Sequence, residues 1–103
     1  MIKSKSLQNA YDRFLTTLSN KVRLTIIYSL KDNPKNVTRL TNELKIHQTT
    51  VSHSLRRLLD CGFVFVEQNG KERIYSVNKK TIKPLLKLME EHVNNYCAKG
   101  VCK

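Results

Sequence analysis

Acidic side chains are scarce in this 103-residue chain: eight Asp and Glu stand against nineteen Lys and Arg, a formal net charge of +11. A surface this positive fits a polyanionic partner, nucleic acid first and an acidic membrane surface second. Glycine is scarce too, and Gly62, Gly70 and Gly100 all fall at turns or helix ends. No glycine-rich loop is left over to cradle a phosphate. Carboxylate pairs and a nucleophile beside a histidine are also missing, so the chain reads as no enzyme. No run approaches the 18 apolar residues of a membrane span. The charged start, Met1 to Ser6, has no apolar stretch behind it and does not read as a signal peptide. Three cysteines, an odd number, suit a reducing compartment better than a disulfide framework, and the expected location is the cytoplasm.

What the chain does have is periodicity. Its residues are 40% hydrophobic and patterned rather than scattered, which argues against disorder; its length leaves room for one domain. Leu7, Ala10, Tyr11, Phe14, Leu15 and Leu18 form a helical stripe, expected to bury one face of a first helix. Asn20 caps a second helix that runs to about Lys31, carries Leu24, Ile26, Ile27 and Leu30, and stops before Pro34. Val37, Leu40 and Leu44 mark a short third helix, capped by Asn36 or Thr38. After the turn Lys45-Ile46-His47, a fourth helix runs from about Gln48 to Asp60. Two β-rich runs, Phe63 to Glu67 and Glu72 to Val77, flank Asn69-Gly70, the pair that a type I′ hairpin turn favours because both central residues need positive φ. A last helix starts near Asn78 to Thr81 and carries Ile82, Leu85, Leu86, Met89, Val93 and Tyr96. The expected fold is mainly α with one small β-hairpin (α+β), a winged helix-turn-helix in the order α-α-α-α-β-β-α.

In that arrangement the fourth helix is the element that enters a major groove while the hairpin reaches flanking backbone. Gln48, Thr49, Ser52, His53 and Arg56 share a polar face opposite Val51, Leu55 and Leu58, and no acid occurs before Asp60. Gln can read adenine and Thr can touch a thymine methyl. With Thr50 and Arg57 on the same helix, and Lys71 and Arg73 near the hairpin tip as phosphate contacts, these residues make the candidate DNA-binding set. The plain alternative is an amphipathic helix with a solvated face, which would ordinarily include acids. Lys79, Lys80, Lys83 and Lys87 line the last helix instead, where they extend the contact or only solubilise it.

Leu18 to Ile27 resembles the Leu-x-Asp-Pro-x-Arg-Leu-x-Ile-Leu opening of ArsR-type winged-helix repressors. Leu40 to Leu58 is similar to that family's helix-turn-helix, matching its core at Gln48, Thr50, Val51, Ser52 and Leu55. Gly62, Val64 and the hairpin ending Arg73-Ile74-Tyr75-Ser76-Val77 extend the resemblance over about residues 11 to 96. Three positions depart from it: Lys21 for the opening proline, His47 for the usual serine cap and Ser54 for a frequent histidine. The resemblance implies a sequence-specific transcriptional regulator, most simply a repressor, acting on double-stranded DNA as a two-fold homodimer. Residues 1–19 and 79–99 would then be the dimerisation helices and the operator a pseudo-palindrome. An architectural nucleoid-type protein without base readout or effector is the competing reading.

Many ArsR-type proteins release DNA on binding a metal or metalloid. Residues 37–46 contain no Cys, His or Asp, so a thiol site before the reading helix is absent, and Glu90-Glu91-His92 matches only half of a last-helix metal pair. Cys61, at the end of the reading helix, reads as a buried packing residue. Cys97 and Cys102 close the chain in the tail 97–103, and a reversal at Gly100 would bring them within disulfide reach. Several readings stay open there: a soft Zn²⁺ or As(III) site shared with His92 or with a ligand from the other subunit, a reversible Cys97–Cys102 disulfide switch, a disulfide that only staples the tail, or two unrelated thiols.

Overall fold

In the computed structural model, residues 4–97 are described, and Cys102 and Gly100 lie outside them. Four helices come first: α1 (Lys5–Leu18), α2 (Lys21–Leu30), α3 (Val37–Leu44) and α4 (Gln48–Asp60). Two strands follow, β1 (Val64–Asn69) and β2 (Glu72–Val77), then α5 (Ile82–His92). The chain is thus a winged helix-turn-helix in the expected order. The last helix widens over Val93–Cys97 into a π-helical turn.

Local chemistry sets the boundaries. Side-chain oxygens of Ser4, Asn20 and Asn36 accept from the backbone N–H three residues on, capping α1, α2 and α3. His47 caps α4 more weakly, its Nδ1 accepting from the Thr49 N–H at 3.3 Å. Gly62, at φ +73°, ends α4 in a Schellman arrangement: Phe63 N–H reaches the Leu58 carbonyl and Gly62 N–H the Leu59 carbonyl. Asn78 organises the start of α5, its Oδ1 accepting from Lys80 and Thr81 and its amide donating to the Gly62 carbonyl.

The strands pair antiparallel from Val64↔Val77 to Asn69↔Glu72, which leaves Gly70-Lys71 as the two-residue loop. Only Gly70 of that pair has positive φ, at +64°. The turn therefore has the φ pattern of type II′, with glycine first, and not the expected type I′ centred on Asn69-Gly70. Asn69 is consumed as a strand residue. Lys35, between α2 and α3, adds a short third rung: its backbone exchanges two hydrogen bonds with Tyr75, at 3.0 and 2.8 Å.

The core is built from Ile26, Ile27 and Leu30 of α2, Leu40 of α3, Val51, Leu55 and Leu58 of α4, Phe63, the inward residues of the hairpin, and Ile82 and Leu86 of α5. Helix α1 packs only part of its stripe within the chain. Phe14 stacks on Phe63 with ring centroids 5.1 Å apart, and Leu18 packs nearby, but Leu7, Tyr11 and Leu15 are about half exposed. The stripe is therefore not buried within one chain. The one fully buried α1 residue is Thr17, which no apolar pattern marks. Cys61 packs against the core as expected but is half-buried and not buried, and its Sγ lies 3.2 Å from the Thr17 hydroxyl.

Candidate nucleic-acid interface

Burial of Val51, Ser54, Leu55 and Leu58 against α2 and α3 leaves the opposite side of α4 free. Gln48, Thr49, Thr50, Ser52, His53 and Arg56 are all exposed there. Asp60 is the single acid on the helix, and it pairs with Arg56 at 3.6 Å between two well-exposed side chains. Such a pair is worth only a few tenths of a kcal/mol, so Arg56 is readily released to a phosphate.

Helix and hairpin adjoin. Ser52, Arg56, Leu59 and Asp60 share a groove with Val37, Arg73 and Tyr75. The Arg73 guanidinium sits 6.0 Å from the Tyr75 ring, which supports it from below. Lys71 is exposed on the loop. Glu72 does not neutralise either cation; its carboxylate accepts from the Asn36 side-chain amide at 2.9 Å. Behind the hairpin, Lys35 Nζ donates to Ser29 Oγ at 2.9 Å and to Glu43 Oε2 at 2.6 Å, and Arg39 Nε donates to Glu43 Oε1 at 2.8 Å. Hydrogen bonds from Lys35 and then Arg39 hold the Glu43 carboxyl below its ordinary range.

Arg57 stands apart from this set. Its Nε donates to the buried Thr17 hydroxyl at 2.9 Å, so the side chain turns back towards α1. Arg23 completes the junction by donating to the Thr17 and Thr16 carbonyls at 2.9 and 3.1 Å, closing the C-terminus of α1. Burial pushes the Cys61 thiol up, but its hydrogen bonds with Thr17, Arg57 and Arg13 outweigh it and hold the thiol below its usual value. This polar joint between α1, α2 and α4 was not legible beforehand, because Thr17 and Arg57 are 40 residues apart.

The remaining candidates lie elsewhere. His92 is exposed with its ring 5.0 Å from that of Tyr96, Cys97 is half-buried, and Cys102 lies outside the described residues. Among the described residues no group of three or more His, Cys, Asp or Glu side chains forms a metal-binding cluster. Lys79, Lys83 and Lys87 line a different groove, with Lys31, Pro84 and Glu90. No helix among the described residues is long and apolar enough to cross a membrane.

Comparison with known proteins places this geometry. The model of the bacterial arsR family of regulatory proteins matches residues 20–65, from the cap of α2 into β1. An HTH-type transcriptional regulator of Methanocaldococcus jannaschii is 35% identical over 66 residues, 60% of this chain and 70% of its own length. The chain belongs to the ArsR family. The HTH-type transcriptional regulator NmtR of Mycobacterium tuberculosis is 33% identical over 72 residues, 70% of this chain, and the chain spans 60% of NmtR's length. The solution structure of apo-NmtR superposes with a TM-score of 0.75 at 26% identity, covering 94% of this chain and 82% of that one. The winged helix-turn-helix DNA-binding domain Mb0332 of Mycobacterium bovis, itself homodimeric, matches in fold with a TM-score of 0.79 at 22% identity, over 92% and 94% of the two chains. These relatives of the ArsR family are regulators, not enzymes.

Proposed function

We propose that the chain is a sequence-specific DNA-binding transcriptional regulator, a repressor that acts as a two-fold homodimer on a pseudo-palindromic operator. The observation that carries this reading is the exposed, nearly acid-free face of α4 opening into one groove with Arg73 of the hairpin. Gln48, Thr49, Ser52 and His53 offer the base-reading groups, with Thr50 at the edge of the face. Arg56, Lys71 and Arg73 hold phosphates and set register. Arg57, engaged by Thr17, belongs to the support of α4.

The dimer rests on surface that one chain leaves uncovered. Leu7, Tyr11 and Leu15 of α1 are about half exposed, as are Val93 and Tyr96, and Leu88 of α5 is exposed at 63%. The M. bovis domain of the same fold is homodimeric, and a second copy of this chain would bury these exposed residues of its first and last helices. Two reading helices about 34 Å apart would meet successive major grooves. The effector reading places a soft metal ion, a metalloid or an oxidant at Cys97 and Cys102, with His92 one helical turn before Cys97.

Footprinting on the DNA upstream of the protein's own gene, with and without reductant, Zn²⁺ and arsenite, tests these points together. A protected pseudo-palindrome is expected, and its loss with one of the three additions identifies the signal. Equal affinity and equal salt slope on every sequence would favour the architectural reading instead.

A further inference from the structure

Asn36 uses both ends of one side chain. Its Oδ1 accepts from the Arg39 N–H at 2.8 Å, capping α3, while its Nδ2 donates to Glu72 Oε1 at 2.9 Å. The backbone N–H requires the oxygen, so the amide nitrogen necessarily faces the carboxylate. Glu72 opens β2 directly after the loop, between Lys71 and Arg73. The bond therefore spans from the first turn of the helix-turn-helix to the far end of the hairpin, 36 residues away.

One residue earlier, the Lys35 backbone pairs with Tyr75 on the same strand. Two fixed points along β2 define a line, so the hairpin's angle to α3 is set by the Lys35 rung and the Asn36 side chain together. Without the second point, a two-stranded ribbon held only near its base is free to swing at its tip.

We propose that Asn36 is a positioning residue for DNA contact: it latches Glu72 and so aims Lys71 and Arg73 at the backbone beside the helix that reads the groove. This rests on the DNA-binding reading above. Few residue types serve both ends. Asp caps equally well but cannot donate to a carboxylate, and Ser caps but is too short to reach it.

The test uses a pair exchange that conserves charge. Asn36→Asp keeps the cap and sets two carboxylates against each other; adding Glu72→Gln restores a hydrogen bond of reversed polarity at the original net charge. The probe is a mixed-sequence labelled duplex of about three helical turns, since backbone contacts are sequence-independent. Lys71→Ala is introduced into each background and affinity is followed against salt. In the native protein it should lower the salt slope by about 0.9, which is a difference of about 3.5-fold between 50 and 200 mM salt. In the Asn36→Asp background that increment should fall below half, and in the exchanged pair it should return. Circular dichroism confirms folding of each variant, and the exchanged pair separates aim from stability. An undiminished Lys71 increment in folded Asn36→Asp protein overturns the latch and leaves the DNA reading standing. Absence of the increment in the native protein removes the hairpin contact, and the latch falls with it.

Discussion

Thr17→Val is the sharpest probe of how α4 is held. The hydroxyl is fully buried, donates to the Arg13 carbonyl at 2.7 Å and accepts from Arg57 Nε at 2.9 Å. Valine keeps the shape and deletes only the oxygen. A hydrogen bond to a charged group contributes about 1.5–3 kcal/mol. Arg57 is half-exposed and recovers part of that from water, so the net loss should be about 1–2 kcal/mol. For a chain of this size each kcal/mol lowers Tm by about 4–8 °C. Urea unfolding at fixed protein concentration should show an earlier midpoint with the slope m unchanged. Arg57→Ala should cost a similar amount, and the double variant should be less than additive. On DNA, Arg57→Ala should leave the salt slope unchanged, whereas Arg56→Ala lowers it by about one. If Arg57→Ala lowers the slope like Arg56→Ala, and adds to Thr17→Val within about 0.5 kcal/mol, the guanidinium serves phosphate and the reasoning fails.

Three further outcomes are expected. Leu15→Glu places a charge in the uncovered α1 stripe and should convert a dimer to monomer in sedimentation velocity at micromolar concentration; an unchanged sedimentation coefficient rules out α1 as the dimer face. Gln48→Ala should lose discrimination between operator and random duplex, with the salt slope kept; equal weakening on both would count against base readout. Glu43, whose carboxyl is held below its ordinary value of 4.5 by Lys35 and Arg39, stabilises the fold above that pH. The stability is lost as pH falls through the folded value, because the unfolded chain takes up the proton first. Glu43→Gln should therefore flatten the urea midpoint between pH 6 and pH 3, and an unchanged acid limb would assign that loss to other carboxylates.

Much of the candidate site was legible along the chain because it lies within single elements. The face of α4 follows from helical spacing around Val51, Leu55 and Leu58, and Gly62 and Asn36 mark helix ends by local chemistry. The hairpin was legible too, but its turn was not. Asn69-Gly70 is a strong type I′ signal, yet the pairing of Val64 with Val77 and the Lys35 rung set a register that puts Gly70-Lys71 in the loop. The two registers differ by two residues and turn the same side chains inward, so it is the tertiary pairing of Tyr75 with Lys35, and not facing, that outweighs the dipeptide preference.

Helical period, β-rich runs, caps and an excess of positive charge are local quantities, and they determine the element order, the reading face and the class of partner from the residues alone. Which side chains meet across 36, 40 or 44 residues is not local. Only the packed chain brings Asn36 to Glu72 and Arg57 to Thr17, and only it leaves Leu7, Tyr11 and Leu15 uncovered. A stripe on a helix says that a face seeks burial; whether its own chain or a second copy supplies it depends on how much apolar surface the rest of the core has already taken.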